Sequence, residues 1–118
     1  MEQEIQRALE TDRTIDITTT GRYTGELRRT EIWFHNVDGE IYITGMPGPR
    51  SWYANLMSNA AFTFHLKETI ERDLPAMAIP VVDKTRRRRI LSILTERMQS
   101  TVDLDDWVAG SPLVEVRL

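Results

Sequence analysis

Residues 14–45 read TIDITTTGRYTGELRRTEIWFHNVDGEIYITG, and the fold follows from how this stretch is parsed. TIDITTT alternates, with Ile15 and Ile17 facing one way and Thr14, Asp16 and Thr18 the other, the pattern of a half-buried strand. Gly21 and Gly25 bracket a loop, GRYTG. Residues 27–36 read as a second strand. Asp38-Gly39 is a tight-turn signal, and EIYITG returns as a third strand. The expectation is a three-stranded meander over residues 14–45.

The rest of the chain extends this pattern. Residues 2–10 predict a short helix with Ile5, Ala8 and Leu9 on one side; alone it is too short to persist and must dock. MPGPR breaks the strand pattern, Ser51 is placed to cap a helix over WYANLMSN, and Asn59 suits its exit. AFTFHLKET alternates, with Phe62, Phe64 and Leu66 on one face. AMAIPVV reads as its partner, an edge or bulged strand because Pro80 cannot donate to a ladder. Asp83 caps a long helix over roughly residues 84–99, whose stripe is Ile90, Leu91, Leu94 and Met98. LDDWV predicts one further helical turn and PLVEVRL a closing strand. The sum is one domain over residues 1–118, α+β but mainly β: a barrel or sheet of about six mostly antiparallel strands with peripheral helices.

Composition removes several functions. With 0 cysteines there is no disulfide, thiolate metal site or cysteine nucleophile. A formal net charge of −3 opposes general nucleic-acid binding, which needs a broad basic surface. No apolar run approaches the roughly 20 residues of a membrane span. The opening MEQEIQRALE is acidic and polar, unlike a secretory signal, so the cytoplasm is the expected location. Two histidines far apart, His35 and His65, do not make a metal site, and none is expected. No side chain reads as a catalytic acid, base or nucleophile, so if the chain is an enzyme a cofactor carries the chemistry.

The remaining chemistry is a local group of arginines in an acidic chain. On the second strand the even positions Arg28, Thr30, Ile32 and Phe34 share one face, polar at its start and apolar at its end. That is how a strand runs from a ligand mouth into a core, with Arg28 and Thr30 suited to phosphate oxygens; the plain alternative is a solvated strand end paired with Glu26 or Glu31. A helix opening after Arg50 points free N–H groups outward, and Trp52 and Tyr53 offer a flat wall; as a capped helix with a core Trp and Tyr the same residues are purely structural. Arg86 to Arg89 fall in the first turn of the long helix, where they oppose its dipole. Arg88 and Arg89 read as solvated. Arg87 lies near the apolar stripe, where it either reaches a buried acid or an anionic tail or joins that solvated patch.

Two spaced motifs in this order resemble the deazaflavin-dependent nitroreductase family, small proteins of the flavin-binding split-barrel type. They are Thr19, Thr20, Gly21, Arg22, Thr24, Gly25 and Arg28, then Trp52, Tyr53, Asn55, Leu56 and Asn59; the match covers about residues 15–66. The resemblance implies a split β-barrel with a phosphate-bearing deazaflavin (F-420 type) or FMN in a groove beside it. It implies that Arg22, Thr24, Arg28 and Thr30 hold the phosphate and ribityl chain, that Ile32, Thr44 and Gly45 lie along the ring, and that Trp52 and Asn55 brace the loop behind. The implied activity is hydride transfer from the reduced coenzyme to a small quinone, nitro or enone-type acceptor. A homodimer is expected with it. Tyr23 stands where relatives often carry a lysine and Glu31 where a proline is usual. The loop GMPGPR lacks the family's lysine, for which Arg50 is the expected substitute. The late segment STVDLDDW has none of the tyrosines that meet substrate in nitroreductases. That departure keeps a second reading open, a non-catalytic carrier of a flavin, haem or other anionic aromatic ligand.

Overall fold

The computed structural model describes residues 1–118 as four helices and seven strands. In chain order these are α1 (Gln3–Thr11), β1 (Thr14–Thr20), β2 (Leu27–Trp33), β3 (His35–Val37), β4 (Glu40–Thr44), α2 (Ser51–Ser58), β5 (Ala61–Leu66), β6 (Arg72–Pro80), α3 (Lys84–Arg97), α4 (Leu104–Gly110) and β7 (Leu113–Arg117). All strand pairs are antiparallel, in the order β2-β1-β5-β6-β7-β4-β3. The two edge strands of this order, β2 and β3, are consecutive in the chain with only Phe34 between them. Edges joined by one residue must lie side by side, so the sheet curls upon itself and the seam falls at Phe34. The result is a split barrel.

The expected meander is corrected here. The segment read as one strand over residues 27–36 is two: β2 pairs with β1 as the meander requires, and the returning strand β4 pairs with β3 on one side and with β7 on the other, not with β2. At the break, the Phe34 N–H donates to the Arg13 carbonyl at 2.9 Å, one residue beyond the Thr14–Trp33 pair and in the same register, as the last link of the β1–β2 ladder. Phe34 then drives inward to meet Phe64 edge-on at 5.4 Å. The Asp38-Gly39 turn does form, with φ of 53° and 91°, both positive as a two-residue hairpin turn requires.

β6 is likewise longer than AMAIPVV suggests and lies inside the sheet. It changes partners along its length: Arg72 to Met77 pair with β5, Met77 to Pro80 with β7. Pro75 and Pro80 each fall where one side of the strand is unpaired, so neither proline removes a ladder bond. At the start of α2 the cap is Arg50 and Ser51 is the first helical residue, with no side-chain cap. Asp83 caps α3 as expected, accepting the Arg86 N–H at 2.8 Å.

Two cores result. The barrel interior gathers Ile15, Ile17, Phe34, Ile43, Phe64 and Val114 and is closed by α1 and by Trp52 and Leu56 of α2. The second core lies outside the barrel wall, where Val37, Tyr42 and Leu113 meet Ile90, Leu91 and Leu94 of α3 and Trp107 of α4. This explains why β4 is buried on both faces: Ile41 and Ile43 point in, and Tyr42 points out beneath α3. The outer face of β2, β1 and β5 has no such cover. There Asp16 accepts from Arg29 at 2.9 Å and from Lys67 at 2.7 Å, and Lys67 also donates to Glu31. No helix is long and apolar enough to cross a membrane.

Candidate functional site: a groove at the start of the second strand

The register of β1 against β2 sets Ile15, Ile17 and Thr19 beside Ile32, Thr30 and Arg28. Ile15 and Ile17 are fully buried in the barrel, so the even face of β2 is the interior face. Exposure falls along it from Arg28 through Thr30 and Ile32 to buried Phe34, the gradient expected of a strand that begins at a mouth.

That mouth is a groove of about 660 Å³ between the GRYTG loop, the start of β2 and α2. Arg22, Thr24, Arg28, Thr30, Trp52 and Asn55, expected from the sequence to act together, all line it. Its loop is a tight one. The Gly21 N–H donates to the Glu26 carbonyl at 2.7 Å and the Gly25 N–H to the Gly21 carbonyl at 2.9 Å. Gly25 has a φ of 72°, which favours glycine, and a Cβ on Gly21 would lie 3.0 Å from Thr24 Oγ1. Asn55 fixes the loop from behind: its Oδ1 accepts the Arg22 N–H at 3.1 Å and its Nδ2 donates to Thr19 Oγ1 at 3.2 Å. A buried amide that both accepts and donates sets the loop against the barrel wall.

The charges in the groove are incompletely neutralised. Arg28 reaches Glu26 at 3.4 Å, with both side chains more than half exposed, so that pair is weak. Arg29 is committed to Asp16. Arg22 has no carboxylate within reach; its guanidinium lies over the Tyr23 ring at 4.5 Å. The Asp16 carboxyl is held below its ordinary range by Lys67 and then Arg29, so it stays ionised and keeps Arg29 in place. Two guanidinium groups, Arg22 and Arg28, thus remain for an anion, with the hydroxyls of Thr24 and Thr30 beside them.

Four expected residues lie outside the groove. Ile32 packs against the barrel core. The Thr44 hydroxyl donates to the Pro112 carbonyl at 2.6 Å, so it is committed within the fold. Gly45 lies against the Trp52 ring, 3.9 Å from where its Cβ would be. Arg50 closes its own loop, donating to the carbonyls of Pro49 at 2.9 Å and Met46 at 3.0 Å. The groove also takes in Tyr23, Leu27, Arg29, Ser51 and Ala54, which the sequence reading did not assign to it. The available signal was position: Tyr23 sits between two loop glycines and is 86% exposed, and at the strand's exposed start both faces border the opening. Glu31, whose charge would oppose an anion, points to the other face and pairs with Lys67.

The first-turn arginines of α3, Arg86 to Arg88, do not line the groove. Arg87 is buried, and neither an acid nor an anionic tail meets it: it donates to the carbonyls of Val81, Trp107, Val108 and Ser111 at 2.8–3.3 Å. Arg86 pairs with Glu115 and Tyr42, and Arg88 with Asp105 at 2.6 Å.

Residues 1–108 match the model of a family described as F420H(2)-dependent quinone reductase. The chain belongs to that family. No curated protein matches it in sequence. Among solved structures it is similar to the conserved hypothetical protein Rv2991 from Mycobacterium tuberculosis, at 20% identity and a TM-score of 0.73, covering 99% of this chain and 80% of that one. It is similar to a protein described as an F420 reductase, at 19% identity and 0.66, covering 95% and 90%. It also resembles the haem storage protein HutZ from Vibrio cholerae, at 14% identity and 0.73, covering 98% and 88%. These likenesses establish the split-barrel fold expected from the motifs. The chain is a reductase of the deazaflavin-dependent kind, in agreement with the resemblance carried by GRYTGELR and WYANL.

Proposed function

We propose that the groove holds the phosphate-bearing tail of a deazaflavin coenzyme of the F420 type, and that the chain orients a quinone against that coenzyme. The observation that carries this is the meeting of two guanidinium groups, Arg22 with no carboxylate partner and Arg28 with only the exposed Glu26, with the hydroxyls of Thr24 and Thr30 in one groove of a chain of this family. The donor set suits a phosphodiester: planar forks for its oxygens and hydroxyls that donate beside them. Arg28 exchanges its exposed partner Glu26 for the phosphate at little cost, because the existing pair is solvated. Trp52 and the Asn55-braced loop shape the wall. The coenzyme, when bound, supplies the hydride; the protein supplies binding, orientation and exclusion of water.

FMN ends in a phosphate monoester that the same arginines could also take, but the family's coenzyme favours the deazaflavin. Exposed Leu27 and Tyr23 at the rim support a homodimer in which a second copy covers the open side of the groove. The function is tested by mixing the protein with reduced F420 and a soluble benzoquinone and following oxidation of the coenzyme. Turnover that saturates in quinone supports the reductase. Tight coenzyme binding without turnover of quinone, nitro or enone acceptors identifies a carrier instead.

A further inference from the structure

A second cavity, of about 400 Å³, opens at the barrel seam, at the other end of β2 from the groove. Arg28 and Trp33 are five residues apart, roughly 16 Å along a strand, and they face opposite sides. Arg13, Trp33, His35 and Arg97 line this cavity. The backbone of Arg13 is pinned on both sides, its N–H donating to Glu68 Oε2 at 2.6 Å and its carbonyl accepting from Phe34. Its guanidinium makes no hydrogen bond and no ion pair, and rests over the Trp33 ring at 4.9 Å. Arg97, in the last turn of α3, spends one nitrogen on the Asn36 carbonyl at 2.8 Å and has no carboxylate partner. The turn that follows is held open by Gln99 at a φ of 53°, a conformation that costs a non-glycine residue energy.

His35 is the decisive residue. It is 9% exposed and has no hydrogen-bond partner. Its ring nitrogens are not sealed in the protein, since the only fully enclosed side-chain polar atom without a partner is Ser111 Oγ. They reach the cavity. Burial, then Arg97, then Arg13 lower its pKa to about 4, so at neutral pH it presents one N–H and no charge. A buried polar group with nothing to bond to is expensive unless something in the cavity meets it. Glu10 and Asp12 also border the cavity, but Asp12 is engaged by the Thr69 N–H and hydroxyl at 3.3 and 3.2 Å, and neither carboxylate pairs with the arginines.

We propose that this cavity is a second binding site, separate from the groove, for a small molecule bearing a carboxylate or phosphate, held by Arg13 and Arg97 with His35 donating to it. The site is tested by NMR on the full chain at pH 7, adding sodium benzoate or inorganic phosphate at constant ionic strength made up with sodium chloride. The expected result is a saturable shift of the Trp33 indole N–H and the His35 ring C–H with at least one of the two anions. Benzoate acting alone identifies planar carboxylates as the ligand class, and phosphate acting alone identifies phosphate esters. Arg13→Gln, which removes no hydrogen bond, weakens that binding about tenfold or more by loss of a charge-assisted contact. It leaves F420 binding at the groove unchanged. Arg97→Gln is the second variant and has the same effect on the anion. Shifts that never saturate, that chloride reproduces, or that persist undiminished in both variants overturn the proposal.

Discussion

At the scale of single residues, charge state is set by what each group touches. The two histidines have similar sequence surroundings, each on a strand, yet one bonds and the other does not. His65 bridges Thr18 and Asp73 at 2.6 Å on either side, while His35 is buried without a partner. Burial and the nearby Arg97 and Arg13 lower the His35 pKa from 6.5 to about 4, so the unfolded chain binds this proton more readily than the folded one. Stability therefore rises with pH between about 4 and 6.5 and falls as the solution is acidified through that window. The full difference amounts to roughly 3 kcal/mol. His35→Gln should flatten the pH dependence of urea unfolding in that window. The steeper loss below about pH 4 should remain, because it belongs to carboxylates such as Asp16, held down by Lys67, and Glu115, held down by Arg117. Sequence could not separate the two histidines, since the difference lies in neighbours brought together by the fold: Arg13 and Arg97 beside His35, and Thr18 of β1 and Asp73 of β6 beside His65.

At the scale of elements, one arginine joins two helices and a strand. Arg87 satisfies four carbonyls around the α4–β7 junction and the exit of β6, a task that needs a planar fork with several donors. Arg87→Ala should cost about 3–4 kcal/mol in chemical denaturation by stranding those acceptors, and Arg87→Lys should recover little of it. An undiminished stability in Arg87→Ala would remove the clamp from the account. The helical spacing did place Arg87 close to the apolar stripe, but an arginine satisfied wholly by carbonyls has no sequence signature. The seam shows the same limit. Alternation correctly assigned Arg28, Thr30, Ile32 and Phe34 to one face, and Asp38-Gly39 correctly gave the hairpin. Nothing in residues 27–36 marks where the ladder lets go, because from His35 onwards the strand changes partner from β1 to β4, and partner choice is set by other parts of the chain.

At the scale of the whole molecule, the strands and their faces were legible because period-2 burial is a local pattern, whereas partner choice was not. The sheet closes through β7, the last strand, which only the complete chain can supply between β6 and β4. The groove was legible for a related reason: seven of its lining residues fall within nine positions, Arg22 to Thr30, four of them expected from the sequence, and Trp52 and Asn55 come from the next motif. Arg50 was expected there as the substitute for the family's loop lysine; it lies outside the groove lining and donates to the carbonyls of Pro49 and Met46 in its own loop. A homodimer that covers Leu27 and Tyr23 should give twice the 13.7 kDa chain mass in light scattering, and Leu27→Glu should return it to a single chain. A single-chain mass for the unaltered protein at working concentration would contradict the dimer. The central claim is that Arg28 grips the coenzyme's phosphate, and calorimetric titration of F420 into the protein and its Arg28→Ala variant tests it most directly. The account predicts a loss of about 2 kcal/mol, roughly 30-fold in Kd, with the fold intact. Equal affinity in the two proteins would contradict it.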